Sequence, residues 1–107
     1  MRTLKFKVDG LRIDPDPLCD FSGLVLGTEG YLRAEFSFSR EWDGFVKAAS
    51  FWKLNKECPA KLLEDGKSCV IPAEALTWTS FEVGVIGKNG TTILRTNRTK
   101  VVQERGV

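Results

Sequence analysis

The alternation of apolar and polar residues on either side of Asp43-Gly44 constrains this fold more than any other feature, and six aromatic residues crowd the seventeen positions from Phe36 to Trp52. Before the turn, Leu32, Ala34, Phe36 and Phe38 alternate with Arg33, Glu35 and Ser37. A period of two belongs to a strand with one buried face, so the even positions point to a core. After the turn, Phe45, Ala49 and Phe51 point one way while Val46, Ala48 and Trp52 point the other. A strand that is apolar on both faces must be covered on both, or it presents hydrophobic surface to a partner. Asp43-Gly44 supplies the residue types that tolerate positive φ, and Trp42 is expected to plug that corner.

The same alternation recurs along the chain. Leu4, Phe6 and Val8 predict a first strand ending at Gly10, and Phe81, Val83 and Val85 predict a late one. Between Asp14 and Asp20, two prolines and three acids predict an irregular loop, followed by a short strand over 21–26 and a Gly27-to-Gly30 turn. Asp65-Gly66 and Asn89-Gly90 are two-residue hairpin signals, and Pro72 to Leu76 reads as about one helical turn. Gly84 inside its strand marks a bulge or a close backbone approach. About eight short strands with one helical turn predict a single all-β domain over 1–107, an antiparallel sandwich or small barrel. Residues 1–29 are expected to supply the first strands and a candidate arm.

Histidine is absent, which excludes histidine-dependent triads and proton shuttles. Ser37, Ser39 and Ser50 therefore lack a base, and Glu41 and Asp43 lie too close in one turn to face a sugar from two sides. Gly27-Thr-Glu-Gly30 lacks the ending of a phosphate loop, and Asp14, Asp16 and Asp20 do not match a calcium loop. No enzyme, cofactor or metal is expected. Three cysteines without a Cys-x-x-Cys spacing predict free thiols in a reducing compartment. No apolar run reaches the length of a membrane span. The net charge is +2, yet Lys88, Arg95, Arg98, Lys100 and Arg105 face only Glu104 near the end, a pattern read first as a charged edge strand.

One further likeness is carried by particular residues. The run Phe36-x-Phe38-Ser39-x-Glu41-Trp42-Asp43-Gly44-x-x-Lys47-x-Ala49-x-Phe51 resembles a small domain that recurs in virion proteins of tailed bacteriophages, in head-decoration proteins and at the N-terminus of baseplate or fibre proteins. The likeness continues through Leu62-Leu63-x-Asp65-Gly66, Cys69-x-Ile71-Pro72, Phe81-x-Val83-x-Val85-x-Gly87 and Thr96-Asn97. It implies an immunoglobulin-like sandwich in a virion assembled in the host cytoplasm, and it carries no active site. The chain stops at Val107 without the coiled coil or shaft of the fibre members, which favours a capsid decoration protein that binds the major capsid protein and its own copies.

Two alternatives stand beside that expectation. One is a tail, baseplate or fibre adaptor binding a host glycan, and the other is a small phage inhibitor of a host protein. Neither a membrane nor nucleic acid is an expected partner. The interface candidates are Trp52, Phe45, Trp78, Pro15, Pro17, Arg95, Arg98 and Lys100, and the core and corner candidates are Phe36, Phe38, Trp42, Phe51 and Phe81.

Overall fold

A computed structural model describes all residues from Met1 to Val107. Ten strands form two packed sheets. They are β1 (Arg2–Asp9), β2 (Arg12–Pro15), β3 (Leu32–Phe38), β4 (Val46–Lys53), β5 (Lys56–Glu57), β6 (Lys61–Leu62), β7 (Ser68–Val70), β8 (Ser80–Asn89), β9 (Thr92–Arg95) and β10 (Thr99–Val102). The first sheet has the order β2-β1-β3-β7. In the second, β8 and β4 are central, β9 and β10 follow one another along the free side of β8, and β5 and β6 do the same along β4. The protein is thus an all-β sandwich, with ten strands where about eight were expected.

Alternation decides which side of each strand is buried. Leu4, Phe6, Val8, Leu32, Ala34 and Phe36 from the first sheet meet Ala49, Phe51, Phe81, Val83 and Val85 from the second. The aromatic rings form a chain through this core: Phe6 stacks on Phe36, Phe36 touches Phe38, and Phe38 touches Trp42. Trp42 is fully buried at the end of a 3-10 turn over Arg40–Trp42, and its indole Nε1 donates to Gly10 O at 2.8 Å. The corner plug is therefore also a clasp between the β1–β2 turn and the segment before β4. Phe38 is half-buried at the core's margin.

Several expectations are corrected by the backbone. Asp14 and Pro15 belong to β2 rather than to a loop; a proline is tolerated there because β2 is an edge strand with one side free of ladder bonds. Residues 21–26 form no strand, only an isolated bridge from Val25 to Glu104. Leu54 and Asn55 form a two-residue hairpin between β4 and β5 with positive φ at both positions, 51° and 63°. The Asp65-Gly66 turn does not join two strands of one sheet: β6 before it pairs with β4, and β7 after it pairs with β3. The helical turn at Ala73–Leu76 follows Pro72 as expected, and the Arg40–Trp42 turn is a second.

The first sheet contains one parallel pair, β1 with β3, from Arg2↔Leu32 to Val8↔Phe38. Parallel neighbours need a long crossover, and the segment between Pro15 and Leu32 provides it. That crossover is tied to β1, to the 3-10 turn over Ala73–Leu76 and to the segment after β10. Arg2 donates to the carbonyls of Asp20 and Ser22, Gly27 N to Leu76 O, and Leu26 N to Glu104 O. Residues 1–29 therefore belong to the body of the sandwich.

Asn97 closes one lateral side. Its Oδ1 accepts from Ile13 N at 2.8 Å and its Nδ2 donates to Ile13 O at 3.3 Å, so a side chain between β9 and β10 imitates a neighbouring strand for β2. Thr96 holds that break in place, since its Oγ1 accepts from Val85 N and donates to Asn97 O. Gly84 marks a close approach rather than a bulge: a Cβ there would sit 3.2 Å from Asn97 O.

Candidate functional site: the outer face of the second sheet

Strand register shows which side chains share the outer face. Leu62, Ala48, Ile86 and Arg95 form one row across β6, β4, β8 and β9, and Val46, Lys88 and Ile93 form the next. Glu57, Trp52, Glu82 and Lys100 form a third row, two steps toward the other end. Val46 is 66 % exposed, Leu62 70 % and Ile93 52 %. No element of the chain covers this face, so the doubly apolar character of β4 remains unsatisfied by intramolecular packing.

Trp52 is half-buried in the middle of the third row. The Arg98 guanidinium lies over its ring at 4.1 Å from the centroid, donates to Asn55 Oδ1 at 3.1 Å and approaches Glu82 at 3.8 Å. A cation over an indole face is attractive and holds both groups in place. It also occupies the ring face that a sugar would stack on, which weighs against the glycan alternative at Trp52. Between Trp52, Arg95, Arg98 and Ser50 lies a depression of about 170 Å3, below the range of small-molecule pockets. The face suits a broad contact rather than an enclosed ligand.

Four interface candidates, Trp52, Arg95, Arg98 and Lys100, thus converge, and the other four lie elsewhere. Phe45 is half-buried and packs on Trp42 with ring centroids 6.3 Å apart, so it is a rim residue of the core. Trp78 is 42 % exposed in the loop before β8, where its carbonyl accepts from the buried Gln103 side chain. Pro15 ends the edge strand β2 in the other sheet and Pro17 follows in the crossover. Val46, Leu62 and Ile93 share this exposed face and were not among the candidates. Their signal was present for Val46, which is out of phase with Phe51, but Leu62 and Ile93 needed the register.

The Cys58 and Cys69 thiols are buried and all three cysteines are free. Burial pushes Cys69 up to about 11 from its ordinary value near 9, and burial also raises Cys58. Asp20 is held below its usual range by hydrogen bonds from the Ser22 hydroxyl and amide. Asp14 pairs with Arg12 and Asp16 accepts from Leu18 N, so the three acids expected in one loop serve three separate partners. No protein-family model matches the chain, and no curated protein matches it.

Proposed function

We propose that this protein is a non-enzymatic structural protein of a tailed-phage particle, a capsid decoration protein that docks through the outer face of its second sheet onto the major capsid protein. The observation that carries this reading is the uncovered face itself, where Val46, Leu62 and Ile93 stand beside Trp52 and a line of basic side chains. The residue pattern around Trp42 and Lys47 supplies the virion setting. A strand the length of β4 and a width of four strands give a footprint of roughly 500 Å2, which belongs to weak single contacts. Contacts between neighbouring copies on one shell would link such sites and raise their avidity to that of stable decoration.

The basic line favours an apolar patch with an acidic rim on the partner, since Arg95, Lys88 and Lys100 would meet it without desolvating like charges. The test is quantitative mass spectrometry of purified particles from the phage encoding this chain, with the major capsid protein as reference. A copy number comparable to that protein supports head decoration. A handful of copies per particle moves the domain to the tail or baseplate, and absence from particles removes the virion reading in favour of an inhibitor of a host protein.

A further inference from the structure

The lateral side opposite Asn97 is bridged by the chain between β6 and β7, which covers only part of β3. Hydrogen bonds in β3 alternate between its neighbours: Ser39 N, just past its end, donates to Val8 O toward β1, whereas Phe36 N donates to Lys67 O and Leu32 O accepts from Ile71 N toward β7. The backbone groups of even-numbered residues therefore face β7. After Lys67 that neighbour is lost, because Lys67 N and Ser68 N both turn to Glu64 O and the chain leaves the ladder. Phe36 C=O, Phe38 N–H and Phe38 C=O are left on the β7 side with no backbone partner.

These three groups border a cleft of about 410 Å3, large enough for several side chains, lined by Glu35, Asp43, Lys47, Asp65 and Lys67 beside Phe36 and Phe38. Lys47 reaches into it from β4. Its ammonium lies 5.2 Å above the Phe38 ring and donates to Phe45 O, and it makes no ion pair. Ammonium groups carry three donors, so Lys47 retains some for an acceptor in the cleft. The carboxylates of Glu35, Asp43 and Asp65 outnumber the two lysines.

We propose that this edge of β3 is a strand-acceptor site, at which an extended segment of another polypeptide adds alongside Phe36–Phe38. Its backbone would complete the bonds that β7 abandons, as in other strand additions. The lining fixes the occupant's character. Residues facing inward meet the Phe38 ring and the Lys47 ammonium and should be short hydroxyl side chains, while residues facing outward stand beside Glu35 and Asp65 and should be basic. The site lies in the first sheet, away from the outer face of the second, and does not depend on the virion reading.

The probe is a capped seven-residue peptide alternating Thr and Lys, titrated into the isotopically labelled full chain while amide shifts and hydrogen exchange are followed. A saturable shift and slowed exchange centred on the Phe38 amide are expected. A Thr and Glu alternation should bind at least roughly threefold more weakly, and backbone N-methylation of the Thr and Lys peptide should abolish the effect. The proposal is overturned if the Phe38 amide does not respond, if the N-methylated peptide acts equally well, or if the shifts map to another surface.

Discussion

Trp42 packs directly on the backbone of Gly87, leaving no room there for a side chain. The Trp42 ring is buried against β8 where Gly87 leaves room for it, and a Cβ at Gly87 would lie 2.8 Å from Trp42 Cζ3. Gly87→Ala should therefore destabilise the protein by about 1–3 kcal/mol through overpacking, read as a lower urea midpoint with unchanged slope. An unchanged midpoint would mean that the ring shifts freely. The buried thiols set an alkaline limit on stability. In the unfolded chain they ionise near 9, whereas folding holds the Cys69 thiol protonated up to about 11. Between these values the unfolded state binds fewer protons, so stability is complete below pH 9 and falls as pH rises toward 11. Urea titrations across that range should show a shallower decline for Cys69→Ala than for the wild type, and equal slopes would contradict the assignment.

Among the elements, the two-residue hairpin at Leu54-Asn55 is held at Asn55 by Arg98 and carries uncompensated strain at Leu54. Leu54 takes a left-handed conformation with its side chain exposed, so Leu54→Asn should stabilise by about 1 kcal/mol, raising the thermal midpoint. A lower midpoint would place the Leu54 side chain in a contact of its own. This hairpin also marks where sequence reasoning ends. The alternation in β1, β3, β4 and β8 was legible because each has one core face, and it placed Phe36, Phe51 and Phe81 in the core. Leucine carries no sign of positive φ, so the turn before β5 was invisible, and the prolines and acids of β2 outweighed the inward position of Ile13. Period-two patterns are equal for both strand directions, and the parallel β1–β3 pair had no local signature. For the site, Trp52 and the basic residues near the end were legible singly. Their convergence was not, because it depends on the register of β4, β8 and β9.

At the scale of the whole molecule, a body of 46 × 28 × 21 Å carries one sheet face without cover and one lateral side only partly closed. The uncovered face is where the account of function rests. Substitutions there should leave the fold intact, since Val46, Leu62 and Ile93 are solvent-exposed and contribute little to the core. Val46→Asp combined with Ile93→Asp should retain the wild-type stability within about 0.5 kcal/mol by urea titration, and Arg95→Glu should make any docking less sensitive to salt. The most direct measurement is co-sedimentation of the purified protein with particles lacking it, comparing wild type with the Val46→Asp and Ile93→Asp double variant. The account predicts saturable binding of the wild type and loss of binding for a folded variant; equal binding of the two proteins would contradict it.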